Sequence, residues 1–489
     1  MSPSPVNGCQ CSPYRSLFDK SSKDYDLGKA VEGCRTASGT DPDSTYLLAL
    51  ATYLGVGGVK ADRAVAKDLF AKAAGDGHPS ATVVVSEMER NDVAVQDALM
   101  GLRMDGEQRD VTACRKLFQI YEKATDGAKK NHAEAVRFYT VCAEAGDAEA
   151  QSTIGFMHLM GKGIPKDADT AVRWLTASAE QGNGQAMYRL GQMYDRGLGG
   201  VEPDQDKART WYAKAADAGD RDAQFSLGCM YAAPKTKYTD MKKANELFEK
   251  SAEQGHAEAA YQIAMSYAFG EGIQRDPSMA VKWFEAACEG GYQQAMVDYA
   301  NMCYEGRFLP RDLATAAKWF TRAAENCNGY AQYSLACLYA NGTYFVRDDA
   351  AAVKWFREAA EMGEVNSQYA LACFCYEGRG TPKDVDEAVL WFGQAAEQGH
   401  PAANAFLGMM EVTGNGVEQD VESGMAKLEE GAKNNFPDAL YYLGKLYADG
   451  EYVKQNLMKA KRYLNQAAKQ GDPDAQVLLE QLQTMKKRR

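Results

Sequence analysis

The stretch Ala257-Glu-Ala-Ala-Tyr-Gln-Ile-Ala-Met-Ser-Tyr-Ala-Phe-Gly-Glu-Gly-Ile-Gln-Arg-Asp-Pro-Ser-Met-Ala-Val-Lys-Trp-Phe-Glu-Ala-Ala-Cys-Glu-Gly-Gly-Tyr292 decides the architecture. It holds two runs with apolar or small residues three and four apart: Ala259, Ile263 and Tyr267, then Ala280, Trp283, Phe284 and Ala287. That spacing puts each set on one face of a helix. Gly270 and Gly272 lie between the runs, where glycine supplies the positive φ that ends a helix sharply. The stretch therefore reads as a helical hairpin.

Outward from this stretch the same pattern returns with a period of 36 residues, from about Asp43 to Asp472. Regular units start near Ala148, Gly184, Arg221, Ala257, Gln293, Gly329, Val365, Pro401 and Pro437. Toward the N-terminus, Asp43–His78 keeps the pattern, Pro79–Gly106 reads as a shortened, degenerate unit, and Val111–Asp147 is weaker, with Phe138 in the tryptophan position. Together these make about twelve units. The expected division is a tail and capping helix at 1–42, divergent repeats at 43–147, nine regular repeats at 148–472, and a terminal helix with a basic tail at 473–489.

A hairpin of this size cannot bury its own aromatic residues, so neighbouring units must stack and cover them. Ala or Gly at the eighth position, as at Gly155, Gly191, Gly228, Gly408 and Gly444, allows helices to approach closely. The six tryptophans, Trp174, Trp211, Trp283, Trp319, Trp355 and Trp391, all fall at one place in the unit, which assigns them to the core between helices.

The pattern A-x-A-x-x-x-L-G-x-x-Y-x-x-G-x-G followed by D-x-x-x-A-x-x-W-[FY]-x-x-A-A-x-x-G resembles the Sel1-like repeat family, a relative of tetratricopeptide repeats. Ala186, Leu190, Gly191, Tyr194, Gly197, Gly199, Asp206, Trp211, Tyr212, Ala215, Ala216 and Gly219 carry it in one unit. The resemblance implies an all-α, right-handed α/α superhelical solenoid with its first helices on the concave side. It also implies a non-catalytic scaffold or adaptor that holds a partner protein's peptide or helix in that groove. A self-assembling structural solenoid is the alternative within binding roles. Cysteine-rich secreted members and prenylated synthase activators are set aside, because no cysteine pair recurs per unit and the chain ends Met485-Lys-Lys-Arg-Arg489.

Composition agrees with a folded protein-binding role. The net charge is −12, with acidic and basic residues interspersed, which argues against a nucleic-acid backbone as partner. Residues 1–28 contain no apolar run of signal-peptide type, and the uncharged stretch Ser44–Val59 is too short to span a bilayer. A cytoplasmic location is expected, and the Lys486–Arg489 cluster reads as a solvated end rather than a nuclear signal. The cysteines read as small buried hydrophobes. Neither Cys9/Cys11 nor Cys373/Cys375 has the second pair that a metal site needs, so no metal or cofactor is expected.

An enzyme requires convergent groups. His78, His256 and His400 recur at unit ends and read as surface turn residues, His158 stands at a first-helix tyrosine position, and His132 precedes a second helix. A penicillin-binding type of hydrolase would need S-x-x-K, which does not occur in the sequence.

By analogy with tetratricopeptide geometry, first-helix positions 5, 9, 12 and 13 face the groove. Position 5 carries an aromatic ladder, Tyr188, Phe225, Tyr261, Tyr333, Tyr369 and Tyr441, explained mainly by packing. The other positions vary, and variation on a fixed framework is where a partner is encoded. Phe269, Tyr304 and Tyr376 are the expected anchors, with Asn301, Glu305, Asn341, Glu377 and Arg196 beside them.

Overall fold

The computed structural model describes residues 19–487 except 21, 24, 39, 92, 126 and 127, and its side chains except 94 and 483–487. The Cys9/Cys11 pair, most of the N-terminal tail and the Lys486–Arg489 side chains lie outside these residues. Among the described residues the elements are 26 α-helices and one short 3-10 turn, with no strand. The protein is an all-α solenoid, and its chain divides into two compact units, up to Ser251 and from Ala252 onward.

Each regular hairpin is built from the same local devices. An aspartate or asparagine opens the helix: the Asp276 carboxylate accepts from the Ser278 and Met279 amides, and Asn183 accepts from the Ala186 amide. A cap of this kind contributes about 1 kcal/mol per helix. The first helix then closes on a left-handed residue, as at Gly161, Gly270 and Gly378, whose N–H bonds back to a carbonyl four residues earlier. Regular caps at both ends explain why most helices have the same length of 13 residues.

The two helices of a hairpin meet at the eighth position of the first. A Cβ on Gly191 would stand 2.4 Å from the Tyr212 ring, and one on Gly228 would stand 2.7 Å from the Phe248 ring. Gly155 and Gly444 face Leu175 and Leu464 in the same way. All four partners come directly after the tryptophan position, and that next residue is buried in every regular hairpin. Leu175, Tyr212, Phe248, Phe284, Phe320, Phe356, Phe392, Leu428 and Leu464 are all buried.

This corrects the expectation for the tryptophans. Trp174, Trp283 and Trp319 are buried, whereas Trp211, Trp355 and Trp391 are only half-buried. Adjacent residues of a helix point in different directions, so two neighbouring bulky side chains do not reach the core together in every hairpin. The half-buried tryptophans lie along the flank, where a lysine covers the ring: Lys214 Nζ lies 4.4 Å from the Trp211 centroid and Lys354 Nζ lies 5.4 Å from that of Trp355.

Hairpins are tied to one another by a buried glutamine. Gln151, Gln224, Gln332 and Gln368 donate to the carbonyls of Ala143, Ala216, Ala324 and Ala360, each eight residues earlier in the preceding second helix. The bond gives a second donor to a helix C-terminal carbonyl that already accepts the amide three residues on, as from Gly146 to Ala143 and from Gly219 to Ala216.

In the first unit, helix Leu27–Ala37 packs Ala30 and Val31 onto a cluster containing Tyr46, Leu50, Phe70 and Val84. Beneath that cluster lies a buried ionic group without counterpart in the regular repeats. Arg103 is 0% exposed and donates to Glu134 at 3.0 Å, to Glu87 at 3.3 Å and to the Tyr46 hydroxyl at 3.4 Å, with a further bond to Tyr121. Glu134 also accepts from Ser80 at 2.7 Å, and Arg137 bonds to buried Glu107. Burial opposes charge on Arg103, but Tyr121, Tyr46, Glu87 and Glu134 outweigh it and hold the guanidinium protonated.

The histidines are also placed differently from the surface-turn expectation. His78 is buried, with Nε2 3.2 Å from Asp43 and its ring stacked on Tyr46 at 4.3 Å. His78, His256 and His400 each open a helix by accepting, through Nδ1, the amide three residues on. Histidine here replaces the usual aspartate cap, which requires a polar acceptor but no charge.

Candidate protein-interaction surface

The position-5 ladder forms the base of the candidate surface. All six rings are half-buried, and each of the first five packs against the aromatic residue of its own second helix: Tyr188 on Tyr212 at 5.7 Å, Phe225 on Phe248 at 5.9 Å, Tyr261 on Phe284 at 6.2 Å, Tyr333 on Phe356 at 5.9 Å and Tyr369 on Phe392 at 5.8 Å. The hydroxyl end stays polar. Tyr261 donates to Asp298 of the next repeat at 2.7 Å, and Tyr188 accepts from Gln192 at 2.9 Å.

Three of the sequence-predicted residues reach into the following repeat. Phe269 ends its helix exposed, with its ring edge-on to Phe308 at 4.5 Å. Asn301 Oδ1 accepts from the Tyr330 hydroxyl at 3.2 Å. The Tyr376 hydroxyl accepts from Asn415 Nδ2 at 2.7 Å while its ring stands 5.0 Å from Phe406. Tyr304 and Tyr376 are half-buried rather than freely exposed. Glu305, Asn341 and Glu377 are exposed at the ends of their first helices, with Arg307 3.8 Å from Glu305 and Arg379 3.6 Å from Glu377. These seven belong to the second compact unit, whereas exposed Arg196 belongs to the first.

Burial pushes the thiols of Cys288, Cys303 and Cys375 up to about 12, which keeps them protonated. Among the described residues no group of three or more His, Cys, Asp or Glu side chains is placed to hold a metal ion. None of their helices is long and apolar enough to cross a membrane.

Sequence reasoning missed Phe308, which carries the contact of Phe269, and the Arg103 group. The first had a signal, an aromatic residue where most units have the second glycine of Gly-x-Gly. The second had none, because Glu87, Arg103, Tyr121 and Glu134 come from different helices outside the regular pattern.

The fold and surface define a helical-repeat solenoid of the kind that presents an extended surface to other proteins. The Sel1 repeat model matches residues 42–78, 111–147, 148–183, 184–220, 221–256, 257–292, 293–326, 329–364, 365–400, 401–431 and 437–472, and the chain belongs to the Sel1 repeat family. These are eleven repeats against the twelve expected, because the Pro79–Gly106 stretch lies outside every match. A solved protective antigen of uropathogenic Escherichia coli strains, displaying an SLR fold, is similar over 94% of this chain and 91% of its own, at 25% identity and a TM-score of 0.63. A Sel1 repeat protein from Oxalobacter formigenes is similar over 66% of this chain and 92% of its own, at 29% identity and a TM-score of 0.49. No curated protein matches the chain.

Proposed function

We propose that the protein is a non-catalytic scaffold that binds a segment of a partner protein along its first helices, with Phe269, Tyr304 and Tyr376 as anchors and Asn301, Glu305, Asn341 and Glu377 giving polar direction in the second unit, and with Arg196 as a contact of the first unit. The observation that carries this reading is the division of labour within each repeat. Core positions hold the same buried residues from unit to unit, while positions 9, 12 and 13 change and combine half-buried aromatics with exposed charges. Such surfaces offer apolar area at small rotamer cost.

The histidines support the non-catalytic reading. His78, His256 and His400 are each engaged in opening a separate helix, which removes them from any shared site. Action in the cytoplasm is part of the same proposal.

The test is affinity purification from native cells with the intact chain and a Phe269→Ala, Tyr304→Ala, Tyr376→Ala variant, with circular dichroism to establish that the fold is kept. Proteins lost selectively from the variant support the first-helix surface. An unchanged set moves binding elsewhere, and a mass that rises with concentration in purified protein favours self-assembly.

A further inference from the structure

Within the second compact unit, the repeat starting at Pro401 departs from its neighbours at three positions that carry bulk. At the fifth position of the first helix, Tyr369 and Tyr441 stand in the repeats on either side, and Ala405 stands between them. At the tryptophan position the series runs Trp391, Lys427, Tyr463, and four residues on it runs Ala395, Gly431, Ala467. Ala405, Lys427 and Gly431 all line one cavity of about 220 Å³, together with Asn404, Asn434 and Phe436. Asn434 is exposed, so the cavity is reached from solvent. Folded chains pack closely, and a space of this size marks bulk that is missing.

Other repeats show what fills this place. Their fifth-position ring packs on the residue that starts the following helix: Tyr46 on His78 at 4.3 Å, Tyr369 on His400 at 4.6 Å and Tyr261 on Tyr292 at 5.2 Å. In the Pro401 repeat that residue is Phe436, and Ala405 offers it no ring. Phe406, next in sequence, does not substitute, because it is stacked on Phe392 at 4.5 Å and stands edge-on to Tyr376 at 5.0 Å, both in the preceding repeat. The Lys427 ammonium is drawn off to Glu411.

Phe436 is not there to cap its helix. It starts Pro437–Asp449 without a side-chain cap bond, whereas His400 and Asp472 at the matching places accept an amide. Tyr292 also starts its helix without such a bond, but its ring is packed on Tyr261. The half-buried Phe436 ring faces the cavity instead. Size then limits what enters. An apolar cavity of roughly 150 Å³ admits benzene, and sites for drug-sized ligands begin at about 300 Å³. One aromatic side chain fits here, and Asn404 and Asn434 offer amide groups that can bond a phenol hydroxyl.

We propose that this cavity receives a tyrosine side chain of a partner protein, whose ring takes the place of the missing fifth-position ring against Phe436 and whose hydroxyl bonds to Asn404 or Asn434. The proposal rests on the scaffold reading in taking its occupant from a protein. None of the cavity residues is a first-helix anchor, so either site can fail without the other.

The test substitution is Ala405→Tyr, which fills the cavity with the ring usual at this position. p-Cresol, the tyrosine side chain without its backbone, is titrated into the full chain and followed by amide NMR. Random peptides displayed on phage are selected on the full chain and depleted on Ala405→Tyr, and the enriched sequence is measured by fluorescence anisotropy. The expected result is that p-cresol shifts amides of residues 401–405 and 431–436 saturably in the wild type and not in Ala405→Tyr, whose Tm is equal or higher. The enriched peptides share a tyrosine and bind Ala405→Tyr about tenfold or more weakly, while Phe269→Ala/Tyr304→Ala/Tyr376→Ala leaves their affinity unchanged. The proposal is overturned if p-cresol leaves those amides unmoved or moves them equally in Ala405→Tyr, or if Ala405→Tyr lowers Tm, which means that the space does not fit a ring. It is also overturned if p-cresol binds but no tyrosine peptide is enriched, which makes a free phenol the occupant, or if the triple alanine variant and not Ala405→Tyr weakens peptide binding, which returns it to the first-helix anchors.

Discussion

Arg103 and Glu134 face each other at 3.0 Å with both side chains withdrawn from solvent, in the one part of the first unit where the repeat pattern breaks down. Two charges in such a place stabilise only as a set. Removing the cation by Arg103→Met leaves Glu87 and Glu134 buried beside one another. The substitution should lower local stability by about 3–5 kcal/mol, read from hydrogen exchange of amides in residues 79–144. A triple variant that also carries Glu87→Gln and Glu134→Gln should recover part of the loss. Equal exchange in wild type and Arg103→Met would contradict this account.

A second prediction concerns pH. Burial lowers the pKa of His158, so its imidazole stays neutral in the folded chain at pH values where the unfolded chain takes up a proton. The unfolded state then binds more protons than the folded one, and stability falls as pH drops below about 6.5. Six other repeats place tyrosine here: Tyr121, Tyr194, Tyr231, Tyr267, Tyr339 and Tyr447. His158→Tyr should flatten the acid side of the stability profile between pH 7 and 5, measured by thermal melts at fixed ionic strength.

Glu387 titrates in the opposite sense. Hydrogen bonds from Arg357 hold its carboxyl down at about 2, against some burial and with help from the Trp391 N–H at 3.2 Å. Its contribution is therefore complete above the unfolded value of about 4.3 and is lost as pH falls from there toward 2. Carboxyl NMR on Arg357→Gln should show the Glu387 midpoint moving up toward about 4.3; a midpoint that stays near 2 would remove Arg357 as the cause.

Gly191→Ala tests close packing against helix propensity. Alanine favours a helix over glycine by about 1 kcal/mol, yet the added Cβ would stand 2.4 Å and 2.5 Å from two Tyr212 ring carbons. A buried ring pinned by its repeat cannot swing away, so overpacking should win and the melting temperature should fall, by about 1–3 kcal/mol of stability. Gly182→Ala is not an equivalent control, since Gly182 is left-handed. Gly393→Ala is: that glycine is helical, and an added Cβ would find nothing within 4 Å.

The period, the hairpin and the small-residue crossings were readable because each is repeated, so one unit's ambiguity is resolved by the next. Depth within the pair Trp355–Phe356 was not readable. Both residues are large and aromatic, and only the helix's exact rotation decides which one points inward. The ionic group at Arg103 escaped for a different reason, since charged side chains read as surface unless their partners are known, and these partners lie as far as 57 residues away. At the candidate surface, register along the first helices was legible, but the reach of Phe269 to Phe308 and of Tyr376 to Asn415 depends on how one repeat sits on the next.

The glutamines that bind back to the preceding helix have a mechanical consequence. Gln151 and Gln224 in one unit, and Gln332 and Gln368 in the other, each connect only adjacent hairpins. Within either unit, tension along the chain therefore loads these links in series, and the weakest one yields before its neighbours feel a greater force. Stretched in an optical trap, each unit should lengthen in steps of one hairpin and recoil by the same steps, as an elastic element rather than a rigid rod.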